Sequence, residues 1–348
     1  MRIRFVRLVM PKKHAFAISR GVSTESKALF VLAEEDGLTG FGEFSVGTAD
    51  PLTPEEARRD LEALLADGIE GWSIAEVYAE MRRRGLPGAT MAALDIALWD
   101  LAAKKAGMTL HTMLGLPSRQ PPTSITIGIN PPEVVRERVP ELLATGCRYL
   151  KIKLGSKDGL EADRASFEAS RQAAKPFGAG LRVDANGGWT LAGALEMLPW
   201  LAERGVEYVE QPLPRGAEDQ LPELFAKRPL PIFLDESVRF SEDVPKVADR
   251  CDGVNLKLMK CGGIQEAMRI VAVARAHGLQ TMIGCMSESS VGIAAGVAIG
   301  SLFDHIDLDA HLNLNPDPGE GLSLVDGVVT AREVPGHGAV LREEFLRG

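Results

Sequence analysis

No apolar run approaches the ~20 residues a membrane span requires. The first residues, Met1-Arg2-Ile3-Arg4-Phe5-Val6, alternate like a strand and lack the apolar block of a signal peptide. Basic excess is missing as well: 39 Lys and Arg against 48 Asp and Glu give a net charge of -9, which argues against a nucleic-acid partner. Only four cysteines occur, Cys147, Cys251, Cys261 and Cys285, with no Cys-x-x-Cys pair and no zinc-site spacing. Free thiols in a cytoplasmic protein are therefore expected. No Gly-rich fingerprint follows any candidate strand, which disfavours a dinucleotide fold. What remains is an ordinary soluble composition, 45% hydrophobic and 25% charged, in 348 residues. That length suits two domains, or one barrel with an addition.

Residues 1–118 read as an α+β unit, strands first and helices after. Ala28-Leu29-Phe30-Val31-Leu32 and Gly40-Phe41-Gly42-Glu43 flank the turn Glu34-Glu35-Asp36-Gly37, a hairpin signal. Residues 12–24 form a polar, Gly-containing connection expected to be a mobile loop, and a second such loop is expected to begin near Ser45. Thr53-Pro54-Glu55-Glu56 reads as a helix start, and Met91, Leu94, Leu98 and Leu101 mark the stripe of another helix that Gly107 stops. From Thr123 the pattern alternates strand and helix, with strands expected at 124–128, 149–153, 181–184, 206–210, 231–235, 253–257, 280–284 and 305–309. Their ends lie 22 to 31 residues apart, one strand-helix unit each, so a TIM-type barrel is expected over a doubly wound sheet. Residues 321–329 return to hairpin-like alternation, expected to rejoin the N-terminal unit.

The stretch Tyr149-Leu150-Lys151-Ile152-Lys153-Leu154 places Lys151 and Lys153 on one strand face and three apolar residues on the other. An edge strand with a solvated lysine face would show the same alternation. In a barrel the lysines point inward, where two ammonium groups require anions between them. The barrel's strand ends carry Lys153, Asp184, Glu210, Asp235 and Lys257 in succession. The fourth strand is untidy, because Glu207 falls on the face that should be apolar. Asp184 alone would serve equally as a helix N-cap. Three carboxylates converging at one level, however, repel unless a hard cation neutralises them, and an all-oxygen set suits Mg²⁺ better than zinc. Lys153 and Lys257 then face each other across the barrel mouth. The cation stabilises charge developing on a substrate carboxylate while one lysine takes the neighbouring carbon's proton and the other returns one. A base role for Lys153 requires its ammonium to be destabilised, which Lys151 and the cation favour.

Lys151-Ile152-Lys153, Asp184-Ala185-Asn186, Glu210-Gln211-Pro212, Asp235-Glu236-Ser237 and Asn255-Leu256-Lys257 together resemble the enolase superfamily, muconate-lactonizing subgroup. Gly40-Phe41-Gly42-Glu43 and Ala97-Leu98-Trp99-Asp100-Leu101 are similar to its cap-domain signatures. The resemblance implies a modified (β/α)7β barrel over residues 119–315, and an α+β cap over 1–118 joined by 316–348. It further implies one Mg²⁺ on Asp184, Glu210 and Asp235, an acid/base pair in Lys153 and Lys257 with Lys151 beside them, and a homo-oligomer. Asn186 and Glu236 are expected to stand behind the metal ligands.

Within that family the seventh strand of the sugar-acid dehydratases ends with a catalytic His; here Met282-Ile283-Gly284-Cys285-Met286-Ser287 has none. Asp307-Leu308-Asp309 offers two carboxylates on one face, either a barrel-end Asp plus a helix cap or a pocket for a substrate ammonium. The motif resembles the Asp-x-Asp of dipeptide epimerases, which implies inversion at the Cα of a dipeptide's C-terminal residue. Arg20 matches a loop position that in Ala-Glu epimerases meets an acidic side chain, giving a lean toward L-Ala-L-Glu; a plain surface arginine is the alternative. Lys12, Lys13, Cys285 and Ser287 are further candidates to line the substrate pocket. The competing reactions are o-succinylbenzoate synthase with N-acylamino-acid racemase activity, and muconate cycloisomerase, whose substrates carry no free amine.

Overall fold

The computed structural model describes residues 1–47, 51–69 and 71–346. Three antiparallel strands open the chain: β1 (Arg2–Ile18), β2 (Gly21–Glu35) and β3 (Leu38–Phe44). Asp36 and Gly37, both at positive φ, make the tight β2–β3 turn that the Asp-Gly pair demands. Residues 12–24 are not a loop. They are the far end of the β1–β2 ribbon, with Phe16, Ala17 and Ile18 paired to Ser23, Val22 and Gly21 after a register shift. The period-2 alternation continues there, half-buried Lys12, His14 and Phe16 against exposed Lys13 and Ala15. Two of the three inward residues are polar, which hides a strand from a hydrophobicity reading. The connection expected to begin near Ser45 runs through Thr48, Ala49 and Asp50, which lie outside the described residues.

Three helices follow: α1 (Pro54–Ala66), α2 (Ile74–Arg83) and α3 (Gly88–Lys105). Thr53 caps α1 in a reciprocal box with Glu56. The third helix is buried on nearly every side because it lies between β3 and the rest of the molecule. Contact with β3 is backbone to backbone: a Cβ added at Gly40 would lie 2.1 Å from Ala97 O, and one at Gly42 2.0 Å from Ala93 O. That is the physical content of the Gly40-Phe41-Gly42-Glu43 signature.

Eight parallel strands come next, hydrogen-bonded in sequence order: β4 (Ser124–Ile127), β5 (Tyr149–Lys153), β6 (Gly180–Asp184), β7 (Val206–Glu210), β8 (Ile232–Leu234), β9 (Gly253–Lys257), β10 (Gln280–Gly284) and β11 (His305–Asp307). A parallel bridge between Thr123 and Ile306 brings the first and last together, closing the ring. Helices α4 (Pro132–Leu143), α5 (Leu160–Ala174), α6 (Leu191–Ala202), α7 (Leu221–Lys227), α8 (Ile264–Ala276) and α9 (Ser290–Ala298) connect them, with the single turn Val244–Val247 between β8 and β9. The eighth strand is followed only by a 3-10 turn, Ala310–Asn313. The result is a (β/α)7β barrel under a cap.

Two buried acids from the cap fasten it to barrel helices. Glu43 on β3 accepts from the backbone of Ser289 at 2.9 Å and Gly292 at 3.0 Å at the start of α9, and Asp95 on α3 accepts from Ile264 N at 2.6 Å at the start of α8. Each satisfies orphan N–H groups of a helix N-terminus. Four short strands complete the chain, β12 (Gly319–Glu320), β13 (Leu322–Val325), β14 (Val328–Ala331) and β15 (Val340–Leu341). The β13–β14 hairpin sits by the barrel's first strand, where Gly327 O accepts from Thr123 N at 2.8 Å. Residues after it reach the cap, through Gly336 O to Leu110 N and His337 N to Asp100. Among the described residues no helix is long and apolar enough to cross a membrane.

Candidate active site

The C-terminal strand ends build the site. Register sets Lys153 beside Asp184 and Asp184 beside Glu210, while Gly284 lies between Lys257 and Asp307. Asp235 follows directly on β8. In the eight-strand ring β5 and β9 are four positions apart, so Lys153 and Lys257 enter from opposite walls. Leu150, Ile152, Val183, Leu234, Val254 and Leu256 point outward into the helix layer and are fully buried there. The Glu207 irregularity has a cause: Leu181 pairs with Val206 but Val183 with Val209, so three residues of β7 oppose two of β6. This bulge releases Glu207 from the alternation.

Each expected carboxylate meets an ammonium. Lys153 Nζ lies 2.5 Å from Asp184 Oδ2, and Lys257 Nζ 2.7 Å from Asp235 Oδ2. Lys151 Nζ, which is 1% exposed, lies 2.6 Å from Asp307, 2.7 Å from Glu210 and 3.4 Å from Asp184. Burial alone would strip the protons from Lys151 and Lys257, but the facing carboxylates outweigh it and hold both ammonium groups above their ordinary range. Lys151 is thus a counter-ion among carboxylates.

Several partners were not singled out from sequence. Buried Lys260 donates to Asp235 O at 2.5 Å, Asn255 O at 2.9 Å and Val238 O at 3.1 Å, and pairs with Asp235 Oδ1. Asn255 Nδ2 holds Glu210 Oε1 at 2.8 Å. Gln211 Oε1 accepts from the backbone of Asp235 at 2.9 Å, joining the ends of β7 and β8. All three sit inside or one turn beyond the motifs that carried the resemblance, and that proximity was the available signal. Asn186 N–H and Nδ2 reach Asp184 at 2.7 and 3.2 Å, and Nδ2 reaches Glu236 at 3.2 Å.

Asp307 and Asp309 do not stand as an equal pair. β11 ends at Asp307, and Leu308 is buried in the core. Asp307 takes Ser124 Oγ at 2.9 Å as well as Lys151, and Lys151 and Lys153 hold its carboxyl low against the upward push of burial. Asp309 accepts from Thr126 N at 2.6 Å and has no cation within 4.0 Å among the described residues. Burial and its neighbour Asp307 raise its carboxyl to about 7. It is a carboxylate short of a cation.

The β1–β2 hairpin tip reaches over this mouth. Ser19 Oγ donates to Asn186 O at 2.9 Å, and Arg20 Nη1 pairs with Glu236 at 2.5 Å. Arg20 was expected to face a substrate's acidic side chain; its charge is met by Glu236 instead. Lys13 is tied to Leu312 O at 2.8 Å, while Lys12, half-buried against Ser23 and Phe16, is lowered by burial to about 8. Cys285 Sγ donates to Asp307 O at 3.2 Å, which puts it beside the two aspartates, and Ser287 O accepts from Ser45 Oγ of the cap at 2.9 Å.

Among the described residues, no three Asp, Glu, His or Cys side chains stand together as a ready-made cation cage. Ammonium groups stand among these carboxylates instead: Lys151 Nζ is shared by Asp184, Glu210 and Asp307, and Lys153 and Lys257 take Asp184 and Asp235. The donor set itself fits a small hard dication. Asp184, Glu210 and Asp235 come from adjacent strands, offer only oxygens and are 0%, 0% and 1% exposed. Glu210 Oε2 is buried without an aligned hydrogen-bond donor, 2.7 Å from the Lys151 ammonium, and burial with Asp184 raises this carboxyl to about 7.

Residues 2–115 match the family model for the N-terminal domain of mandelate racemase / muconate lactonizing enzyme, and residues 134–345 match that for the enolase C-terminal domain-like fold. A protein of Flavobacteria bacterium (strain MS024-2A) named hydrophobic dipeptide epimerase is 52% identical, covering 99% of each chain. One of the same name from Roseobacter litoralis is 54% identical over 98% of this chain and 99% of its own. A crystal structure of dipeptide epimerase from Enterococcus faecalis V583, complexed with Mg and the dipeptide L-Leu-L-Tyr, superposes with a TM-score of 0.90 at 32% identity, covering 97% and 98% of the two chains.

Proposed function

We propose that this chain, which belongs to the mandelate racemase / muconate lactonizing enzyme family of the enolase superfamily, is a Mg²⁺-dependent dipeptide epimerase. It inverts the Cα of the C-terminal residue of an L,L-dipeptide. The observation that carries this reading is the pair Lys153 and Lys257 on opposite walls of one buried carboxylate cluster. A pure binding site has no use for a proton donor and acceptor on both faces.

Asp184, Glu210 and Asp235 would hold the metal. Bound there, Mg²⁺ supplies positive charge where negative charge builds on the substrate's carboxylate oxygens. Lys153, as the free amine, takes the Cα proton from one face; Lys257, as the ammonium, delivers one to the other. The reverse epimerisation exchanges their roles. Asp309 receives the dipeptide's ammonium, since it is a buried carboxylate beside Asp307 with no cation within 4.0 Å among the described residues. This need disfavours o-succinylbenzoate synthase, N-acylamino-acid racemase and muconate cycloisomerase readings, whose substrates bring no ammonium.

The preferred C-terminal side chain is hydrophobic rather than acidic. The names of the relatives at 52% and 54% identity support this, and Arg20, the residue behind the acidic lean, is occupied by Glu236. Incubation with Mg²⁺ and a panel of L,L-dipeptides, followed by chiral chromatography, tests the assignment. Inversion of the C-terminal centre in peptides with apolar side chains is the expected result. Inversion of L-Ala-L-Glu alone would remove the side-chain assignment, and no inversion of any dipeptide would remove the function.

A further inference from the structure

We propose that Arg182, on the barrel floor and away from the substrate, is a positioning residue that fixes Asp307, and through it Lys151, by way of the Ser124 hydroxyl. The proposal rests on the epimerase reading above for the reaction it affects. Arg182 stands two residues before Asp184 on β6 and shares its inward face, yet it is only 3% exposed. A charge this deep demands partners, and they form a chain. The β7 bulge brings Glu207 Oε2 to 3.0 Å from Arg182 Nε, and the guanidinium lies 3.8 Å from the Tyr149 ring centroid. Arg182 Nη2 points to His305 Nδ1 at 3.4 Å; burial and Arg182 lower that imidazole to about 4, so the ring nitrogen accepts. Arg182 Nη1 donates to Ser124 Oγ at 3.4 Å, Ser124 Oγ donates to Asp307 Oδ1 at 2.9 Å, and Asp307 Oδ2 takes Lys151 at 2.6 Å.

This chain fixes direction as well as distance. Ser124 Oγ has two acceptors in reach, Ile306 O at 3.3 Å and Asp307 Oδ1 at 2.9 Å; with Arg182 on its oxygen, its hydrogen favours the nearer, charged one, and chains of hydrogen bonds polarised in this sense reinforce each other. Asp307 feels both Lys151 and Lys153. Held on Lys151, it stays clear of Lys153, which must be free to receive a proton, and it leaves Asp309 to the substrate's ammonium. A cavity of about 300 Å³ on the floor, bordered by Arg182, Glu207 and His305, gives the guanidinium room to move once its link is cut.

The test compares wild type with Arg182→Met, Arg182→Lys and Ser124→Ala in dipeptide epimerisation. Arg182→Met and Ser124→Ala are expected to lower kcat at least tenfold while KM changes less than threefold, and Arg182→Lys to restore part of the loss. The double variant Arg182→Met/Ser124→Ala should lose no more than the worse single one, because both cut the same chain. A wild-type kcat in Arg182→Met, or losses that multiply in the double variant, would overturn the proposal. Wild-type enzyme that inverts no dipeptide would sink the functional reading instead. In that event a double-mutant cycle on urea midpoints, Arg182→Met against Asp307→Asn, still reads the link without substrate. Coupled effects uphold it, and additive ones refute it.

Discussion

At the scale of single residues the account turns on which charges are already paired. Lys153 has Asp184, Lys257 has Asp235 and Lys151 has Asp307, whereas Asp309 has a backbone N–H and, among the described residues, no cation within 4.0 Å. Lys153→Ala should therefore slow Cα proton exchange by about 10²–10⁴, the usual worth of a positioned base, while Mg²⁺ affinity measured by calorimetry survives. Full exchange in that variant would end the two-lysine scheme. Asp309→Asn should raise the dipeptide KM about tenfold to a hundredfold, from the loss of one charge-assisted contact worth about 1.5–3 kcal/mol. An unchanged KM with a normal melting curve would remove the ammonium site. Most of these residues were legible from the sequence, because inward lysines and carboxylates at consecutive strand ends are costly without chemistry to justify them. What was not legible is pairing. Nothing in Asp307-Leu308-Asp309 tells that Lys151 claims the first carboxylate, and nothing in Ala17-Ile18-Ser19-Arg20 tells that Glu236 claims the arginine.

Among the elements, β3 and α3 show how a weak sequence signal becomes a structural necessity. Gly42 touches the backbone of Ala93, so Gly42→Ala must part strand from helix at a cost of about 3 kcal/mol, read as a fall in the urea midpoint. No loss would mean that the two elements are not in backbone contact. Glu43 and Asp95, one on each of these elements, carry the pH dependence of the cap–barrel interface. Burial raises Glu43 to about 8 and Asp95 to about 7. Their unfolded carboxyls release protons near about 4, so the folded state binds more protons between those values. The stability they contribute is complete below about pH 4 and declines as pH rises toward 8. Glu43→Gln should flatten that decline in melting temperature; an undiminished slope would place the titration elsewhere. The barrel strands were readable because each pairs an apolar outward face with a short length. The β1–β2 ribbon end was not, because Lys12 and His14 take its inward positions above a polar mouth.

For the molecule as a whole, a cap clasped to the barrel by two buried acids and by the β1–β2 tip places a roof over a mouth crowded with carboxylates. A dication that binds only this folded cluster stabilises it by mass action. Mg²⁺ at about a hundred times its dissociation constant should add about 2.7 kcal/mol. Chelation should reverse the gain and abolish proton exchange together, and a melting temperature indifferent to Mg²⁺ would count against the metal site. The most direct test of the central claim is early-time deuterium uptake from D₂O during epimerisation of a hydrophobic L,L-dipeptide. Two lysines on opposite faces predict one deuterium at the Cα of the newly formed epimer while the remaining substrate stays protiated. Deuterium entering substrate as fast as product, or entering neither, would contradict it.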